Sequence, residues 1–326
     1  MSQEPLIIIA GPTGVGKSHM AIRLAKRISG EIISADSMQL YRGMDIGTAK
    51  VTKDEQEGVR HHLLDVVSPL EAYSVARYKE DASRAAEEIR DRGHLPVVVG
   101  GTGFYIQALL YDIDFNAESG EDTGLRAYYS DLVGKYGSSY LHKQLEAVDP
   151  ESAALIHPNN TKRVIRALEY HAHTGKRISA HNREQSEKTG AYKSVFFVMT
   201  DTRKKLYDRI DRRVIQMLDD GLIYEVKALL KEGCTPDLPS MQALGYKETL
   251  RLLMNLPDPD DTESFTNDDL EQLRNEIAKN TRHYAKRQLT WFKREPEAIW
   301  LSWEEYNEDE MLERMLSILK ENGIAI

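Results

Sequence analysis

The stretch GPTGVGKS occupies residues 11–18, directly after the apolar run LIIIA at 6–10. Behind it, apolar residues recur at helical spacing and predict a helix over 17–28. A strand, a G-x-x-x-x-G-K-[ST] loop and a helix in this order are typical of a phosphate-binding loop, and a purely structural glycine turn is the weaker interpretation. The loop residues expected at the phosphate are Gly11, Pro12, Thr13, Gly14, Val15, Gly16, Lys17 and Ser18.

Each residue type in this loop has a physical task. The glycines let backbone N–H groups turn toward a phosphate, and the start of the following helix adds partial positive charge. Lys17 neutralises phosphate oxygens, and the Ser18 hydroxyl is suited to ligate Mg²⁺. We therefore predict one magnesium ligand in the loop, Ser18.

Short apolar runs alternate with helical periodicity, which predicts a parallel sheet flanked by helices, an α/β fold of the P-loop NTPase type. Strands are expected at 6–10, 31–34, 95–99, 195–200 and 298–301. Helices are expected at 17–28, 104–110, 141–148, 163–171, 204–218, 224–231, 240–254, 269–293 and 305–320. Between about 116 and 189 the strand-like runs vanish. We predict a catalytic core formed by 1–115 and 191–326, and a helical insertion domain at 116–190.

Composition narrows the class of protein. The chain has 326 residues, 41% of them hydrophobic, and no apolar run approaches the ~20 residues of a membrane helix. The single cysteine, Cys234, excludes an internal disulfide and a thiolate zinc site. We expect a cytoplasmic protein without a membrane segment, and a monomer.

The net charge of −9 is unevenly distributed. Residues 258–276 and 304–313 hold fourteen acidic residues against one arginine, so the rest of the chain carries about +4. Basic residues cluster there in three segments, around 162–177, 203–213 and 282–294. A polyanionic partner is therefore compatible with the acidic average.

Asp36 is the carboxylate best placed to serve the loop. It ends the strand predicted at 31–34, and parallel strands present their carboxyl ends to one crevice. The strand at 95–99 instead runs into Gly100, Gly101, Thr102 and Gly103, where a hydrolysing ATPase would carry an acid. Asp36 could hold Mg²⁺, accept a proton from a nucleophile, or cap a local turn next to Ser37.

Two further segments have alternative interpretations. Residues 281–294 interleave five cations with Tyr284, Trp291 and Phe292, which suits phosphate contact and base stacking, or equally a core helix with a solvated basic face. His61 and His62 lack a third ligand nearby, so local hydrogen bonding is favoured over a metal site.

Seven segments resemble the tRNA dimethylallyltransferases, also called isopentenylpyrophosphate:tRNA transferases. The resemblance covers nearly the whole chain, and the second and seventh segments are its most specific parts. The segments are GPTG at 11–14, DSMQLYRGMDIGTAK at 36–50, HHLLD at 61–65, VGGTGFYIQALL at 99–110, TKRVIRALE at 161–169, MQALGYKE at 241–248 and TRHYAKRQLTWFKR at 281–294. Family members often have Ala-Ser and Thr where this chain has Gly14, Val15 and Ser18, and serine keeps the hydroxyl.

The resemblance implies transfer of a dimethylallyl group from dimethylallyl diphosphate to the N6 amine of the adenosine 3′-adjacent to the tRNA anticodon, giving N6-isopentenyladenosine and diphosphate. It implies that Asp36 is the general base, that Thr102 lies near the reacting centre, and that Lys17, Arg213 and Mg²⁺ stabilise the departing diphosphate. Residues implied to contact the anticodon stem-loop are Asp36, Ser37, Met38, Gln39, Thr102, Arg126, Lys162, Arg163, Val164, Ile165, Arg166, Gln242, Gly245, Tyr246 and Lys247.

Two rival functions share the loop and Mg²⁺. A nucleotide or metabolite kinase would bind ATP and need no RNA, and a phosphate-loop switch would bind nucleotide and act through partners. Binding of anticodon stem-loop RNA separates the transferase from both.

Overall fold

A six-stranded parallel sheet carries the loop predicted to bind phosphate. In the computed structural model, which describes residues 4–111, 113, 124–186, 190–255 and 265–326, the strand order is β3-β2-β4-β1-β5-β6. The strands are β1 (Pro5–Ala10), β2 (Gly30–Ser34), β3 (His61–His62), β4 (Leu95–Gly100), β5 (Lys193–Thr200) and β6 (Ile299–Ser302). Residues 6–10 of β1 are fully buried, as expected for a central strand covered on both faces.

Helices follow the strands in the alternation that the sequence predicts. The described helices are α1 (Lys17–Arg27), α2 (Val75–Asp91), α3 (Gly103–Leu110), α4 (Leu125–Tyr136), α5 (Ser138–Val148), α6 (Pro150–Leu155), α7 (Thr161–Thr174), α8 (Ile178–Ser186), α9 (Arg203–Asp219), α10 (Leu222–Lys231), α11 (Tyr246–Met254), α12 (Asn267–Phe292) and α13 (Glu308–Glu321). The predicted α/β fold class is confirmed. None of the described helices has the length and apolarity required to span a bilayer.

The helix predicted over 240–254 is wrong as a single element. Ser240–Gln242 form a short 3-10 helix, and α11 begins only at Tyr246. Between them Ala243 is extended (φ −61°, ψ 152°) and Gly245 has φ 87°, which residues with a Cβ rarely adopt. The helical spacing of apolar residues therefore continues through residues 243–245, although the backbone there is not helical, and the spacing alone does not show where the helix begins.

The chain divides into two compact units. Unit 1 comprises Met1–Leu110 and Ala191–Ile326 and contains the whole sheet, and unit 2 comprises Tyr111–Gly190. The insertion domain predicted at 116–190 starts at a residue outside the described part of the chain. The two sections of unit 1 meet where the Ala191 N–H donates to the Leu110 carbonyl (2.8 Å).

Unit 2 has its own apolar core, formed mainly by α5 and α7, which bury Leu141 and Leu145 against Val164 and Leu168. Asp149, before α6, receives hydrogen bonds from the Ser152 N–H (3.1 Å) and hydroxyl (2.8 Å) and from the Ser179 N–H (2.9 Å) and hydroxyl (2.7 Å). Burial alone raises the pKa of Asp149, but the four donors outweigh it and hold the pKa below its usual value. The carboxylate thus fastens α8 to α6.

Candidate active site

The loop at 11–16 connects the end of β1 at Ala10 to the start of α1 at Lys17. Its backbone conformation depends on its three glycines. Gly11, Gly14 and Gly16 have φ of 146°, 78° and 94°. A Cβ at Gly11 would lie 2.5 Å from the Met199 carbonyl oxygen, so no larger residue fits there. The Lys17 Nζ donates to the Pro12 carbonyl (2.9 Å), which holds the ammonium beside the loop.

A cationic cleft of about 440 Å³ lies over this loop, within unit 1. Loop residues and α9 line it: Gly14, Gly16, Lys17, Ser18, His19, Arg209, Arg212 and Arg213. Burial lowers the pKa of Lys17 to about 8, the Asp36 charge opposes this, and the nearby Arg213 adds to it. Four cations around N–H groups at a helix start make this cleft suited to a polyphosphate anion.

A second cavity of about 270 Å³ extends from Asp36 and Thr13 toward α12. Its polar lining comes from the residues Thr13, Asp36, Ser37, Thr48, Arg213, Gln242, Lys247, Thr281, Tyr284 and Arg287. Its apolar lining comes from Met38, Ile210, Val214, Met217, Ala243, Leu244 and Ile277. Arg213 lines both spaces, so the cationic cleft and this mixed cavity lie next to each other with Arg213 between them.

Asp36 follows β2, and its Oδ1 accepts a hydrogen bond from the Met38 N–H (2.9 Å). The local turn cap that the sequence left open is therefore present, and it uses one carboxylate oxygen. Thr102, which follows β4, accepts from the Ser37 N–H (3.0 Å). The carboxyl ends of the neighbouring strands β2 and β4 thus bring Asp36 and Thr102 to one crevice, as expected from their positions at the ends of parallel strands.

Arg213, on α9, joins the phosphate loop to the segment after β2. Its guanidinium donates to the Thr13 hydroxyl (3.2 Å) in the loop and to the Thr48 carbonyl (3.3 Å) in the segment after β2. Burial lowers the pKa of Arg213, and the Asp36 charge opposes that shift. Arginine stays charged in proteins, so Arg213 supplies a fixed positive charge to both the cleft and the cavity that it lines.

Helix α12 covers the loop through Gln288, a residue that sequence reasoning did not single out. Its Oε1 accepts from the Thr13 N–H (2.9 Å) and its Nε2 donates to the Gly101 carbonyl (2.8 Å). A Cβ at Gly101 would lie 2.1 Å from the Gln288 Nε2, and one at Gly103 would lie 2.2 Å from Trp291. Glycine at 101 and 103 therefore lets α12 pack directly on this segment.

The basic and aromatic residues of α12 divide between the two predicted roles. Phe292 is buried against Phe196, and Trp291 packs edge-to-face on Phe104. Arg282 pairs with Asp211 (2.7 Å). Tyr284 lines the cavity, and burial followed by the Asp36 charge raises the pKa of its hydroxyl. The core alternative thus holds for Phe292, while Tyr284 belongs to the site.

The segment at 36–50 is fastened from two sides. The buried Lys50 Nζ donates to the Tyr41 carbonyl (2.7 Å), to Asp45 (2.6 Å) and to Asp65 (2.5 Å). Glu225 on α10 accepts from the N–H groups of Asp45 and Ile46 at 2.8 Å and of Gly47 at 3.1 Å. These contacts fix the backbone that presents the Thr48 carbonyl to Arg213.

The other residues of unit 1 that are predicted to contact the tRNA lie in different surroundings. Gln242 and Lys247 line the cavity, whereas Tyr246 is fully buried and its hydroxyl donates to Glu225 (2.5 Å). Gly245 supplies the backbone break before α11. Gln39 donates to the carbonyls of Thr48 and Ala49, both at 3.3 Å.

Unit 2 carries the other predicted RNA contacts. Lys162, Arg163 and Arg166 are exposed on α7, while Val164 and Ile165 face the core of the unit. Arg126 forms a bidentate ion pair with Glu169 on α7, in which its Nε and Nη2 donate to the two carboxylate oxygens at 3.1 and 2.8 Å. The side chains of α7 thus separate into an exposed basic set and a buried apolar set.

His61 and His62 form β3. The His62 Nε2 lies 2.6 Å from Glu31, which Arg92 also contacts at 2.8 and 3.0 Å. Burial raises the pKa of Glu31, but Arg92 and His62 outweigh it and lower the pKa to about 2. The His61 Nδ1 lies 2.9 Å from the Val59 carbonyl oxygen, so the local hydrogen bonding favoured from the sequence is present at His61, while His62 bonds to the neighbouring strand.

A parallel sheet, a glycine loop at a helix start and a cleft of four cations define a phosphate-loop enzyme. Residues 39–295 match the family model described as IPP transferase. The chain is 48% identical over 322 residues to a tRNA dimethylallyltransferase of Lachnoclostridium phytofermentans, with 98% of this chain and 99% of that one covered. The chain belongs to the tRNA dimethylallyltransferase family.

Solved structures agree with this assignment. The tRNA isopentenylpyrophosphate transferase of Bacillus halodurans matches at TM-score 0.70 and 41% identity, covering 98% of this chain and 97% of that one. A eukaryotic dimethylallyltransferase acting on tRNA matches at TM-score 0.81 and 30% identity, covering 99% and 81%. The predicted family and enzyme class are therefore confirmed.

Proposed function

We propose that this enzyme transfers the dimethylallyl group of dimethylallyl diphosphate to the N6 amine of the adenosine 3′-adjacent to the tRNA anticodon. The products are N6-isopentenyladenosine and diphosphate. One observation carries the proposal: Arg213 lines both the cationic cleft over the phosphate loop and the Asp36 cavity. A diphosphate in the cleft would place its alkyl group at the cavity that also receives the adenine.

In the proposed reaction the adenine N6 forms a bond to C1 of the dimethylallyl group while the C1–O bond to diphosphate breaks. The N6 proton passes to the Asp36 carboxylate, and the diphosphate leaves with the electron pair of the broken bond. Lys17 and Arg213 stabilise the negative charge that develops on the leaving oxygen. Thr102 holds the Ser37 backbone at the reacting centre through its hydrogen bond of 3.0 Å.

Magnesium suits the donor side of this site. The Ser18 hydroxyl lies in the lining of the cationic cleft, next to Lys17 and at the start of α1. Mg²⁺ is commonly held by one or two protein oxygens together with phosphate oxygens and water. Ser18 would provide the protein ligand, and the ion would neutralise further diphosphate charge when bound.

The apolar part of the cavity fits the donor's alkyl group. Ile210, Val214 and Met217 come from one face of α9, and Ile277 faces them from α12. An allylic chain buried among these side chains leaves water, which favours binding and protects the reacting carbon from hydrolysis. The polar side, with Gln242 and Lys247, would receive the nucleotide.

Unit 2 would hold the anticodon stem-loop through the exposed Lys162, Arg163 and Arg166, because phosphate contacts by basic side chains supply most of the sequence-independent affinity for RNA. We expect the enzyme to act as a monomer in the cytoplasm.

Incubation with dimethylallyl diphosphate, Mg²⁺ and unmodified tRNA, followed by mass analysis of the nucleosides, tests the proposal. We expect one adenosine per tRNA to gain a dimethylallyl group, and Lys17→Ala to abolish the product because the charge facing the diphosphate is lost. Phosphoryl transfer from ATP without prenyl transfer would favour the kinase alternative and contradict the proposal.

A further inference from the structure

Side chains from three parts of the chain hold the carbonyl groups of the phosphate loop. The Pro12 carbonyl accepts from the Lys17 Nζ (2.9 Å), the Gly14 carbonyl from the Arg209 Nε (3.0 Å), and the Val15 carbonyl from the Trp303 Nε1 (2.7 Å). A loop that binds an anion through its N–H groups must direct its carbonyls elsewhere. Of the three donors, only Lys17 belongs to the loop motif.

Trp303 is placed by the C-terminal part of the chain. It follows β6, and its own N–H donates to the Thr200 carbonyl (3.1 Å). Helix α13 behind it is tied to α1 by ion pairs from Arg23 to Glu308 (2.6 Å) and to Asp309 (2.7 Å). The indole therefore reaches the loop from β6 and α13, two elements outside the loop motif.

The indole also lies against the loop backbone. A Cβ at Gly16 would lie 3.6 Å from its Cζ2, so the ring covers the outer side of the loop next to the Val15 carbonyl. Trp303 is not among the residues that line the cationic cleft. It carries no charge, so its effect on an anion in the cleft has to pass through the loop.

Arg209 acts on the neighbouring carbonyl but has two roles. Its guanidinium pairs with the fully buried carboxylate of Asp201, which aims the Nε at Gly14. Arg209 also lines the cleft, where its charge attracts an anion directly. A substitution at Trp303 therefore tests the positioning of the loop without changing the charge of the cleft, whereas a substitution at Arg209 can affect both.

We propose that Trp303 is a positioning residue of the donor site, which holds the Val15 carbonyl outward so that the loop N–H groups face the diphosphate before it binds. The inference rests on the proposed function, because it requires the cleft to bind diphosphate. Without the indole donor, the peptide groups of the loop sample other orientations. Ordering the loop when diphosphate binds then costs free energy, which weakens the affinity. The loss should appear in donor affinity and not in the chemical step.

Calorimetric titration with inorganic diphosphate and Mg²⁺ tests the role, using Trp303→Phe and the matched control Trp300→Phe, an exposed tryptophan on β6, three residues before Trp303. We expect Trp303→Phe to bind about tenfold more weakly and Trp300→Phe to match the wild type. The KM for dimethylallyl diphosphate should rise by a similar factor while kcat at saturating donor stays within about twofold. Anticodon stem-loop affinity should not change.

A second variant covers the case in which Trp303→Phe fails to fold. Arg209→Lys keeps the positive charge at the cleft but lacks the planar Nε that donates to Gly14, so it too should weaken diphosphate binding. The matched control is Arg203→Lys, at an exposed position on the same helix.

Wild-type diphosphate affinity in a folded Trp303→Phe variant would overturn the inference, as would wild-type affinity in Arg209→Lys where Trp303→Phe does not fold. An equal loss of diphosphate and RNA binding, with a lowered melting temperature, would assign the indole to general stability and overturn it as well. Failure of the wild type itself to bind diphosphate would instead remove the donor site, and with it both the proposed function and the inference.

Discussion

Asp36 has a structural role in the observed turn and a chemical role in the proposed reaction. Its Oδ1 caps the turn at Met38, which orients the carboxylate, and its charge acts on Lys17, Arg213 and Tyr284. The adenine amine is a weak nucleophile because its lone pair is delocalised into the ring. A carboxylate fixed by its own backbone turn is suited to orient that amine and to take its proton.

Replacing Asp36 by Asn keeps the acceptor oxygen for the Met38 N–H but removes the proton acceptor. We expect single-turnover prenyl transfer to fall by about 10²- to 10⁴-fold, with tRNA and donor affinities within a few-fold of wild type. Rapid-quench assays at several Mg²⁺ concentrations check this. Rescue by added Mg²⁺, or an undiminished rate, would assign Asp36 to metal organisation or to structure.

The lowered pKa of Lys17 predicts that the activity of the enzyme depends on pH. Burial lowers its pKa to about 8, so the ammonium is present below that pH and is lost as pH rises through it. We expect kcat/KM for the donor, which reports the free enzyme, to fall about tenfold per pH unit above pH 8. Initial rates at low donor concentration measure the profile. Lys17→Arg should remove the decline even at a lower rate, because arginine stays charged; an unchanged decline would exclude Lys17 as its source.

Among the elements, α7 combines a core face with a charged face. Val164 and Ile165 are buried, while Lys162, Arg163 and Arg166 are exposed, so the cations can be removed without opening the core of unit 2. This separation makes α7 the best place to test RNA contact apart from stability.

Replacing Lys162, Arg163 and Arg166 by Ala should weaken tRNA binding and reduce the slope of log K against log salt by up to about three units. The matched control removes the same charge from exposed positions on α9, with Arg203, Lys204 and Lys205 changed to Ala. Filter binding over a range of salt concentrations gives both slopes. Equal losses in the two triple variants would show a general charge effect and not a contact surface.

The elements also show what local sequence can reveal. The spacing of apolar residues predicts most strands and amphipathic helices. Helix α2 was not predicted, although its sequence has the helical pattern: Ser74 caps it, and Tyr78, Ala82 and Ile89 form a buried stripe. The break before α11 depends on a single glycine conformation. Gln288 bonds to a residue 275 positions away and Trp303 to one 288 positions away, and no local pattern encodes such pairs.

At the scale of the whole molecule, the site belongs to one discontinuous unit. Every residue that lines the cationic cleft or the Asp36 cavity lies in unit 1, as do all six strands of the sheet. The chain leaves this unit after Leu110 and returns at Ala191, and these residues share a backbone hydrogen bond. In the part of the chain that the structure describes, the proposed donor site is thus lined without side chains from the insertion.

This arrangement predicts that the insertion can be removed. Because Leu110 and Ala191 are adjacent, a linker of about four to six Gly and Ser residues in place of 112–189 should close the chain without straining β5. We expect the shortened protein to bind diphosphate with Mg²⁺ within a few-fold of wild type, since Lys17, Ser18 and Arg213 remain, and to lose most affinity for the anticodon stem-loop. Titration of each ligand, with circular dichroism to verify folding, measures both. A folded deletion variant without diphosphate binding would show that the insertion helps to form the donor site, and retained RNA affinity would place the main RNA contacts in unit 1.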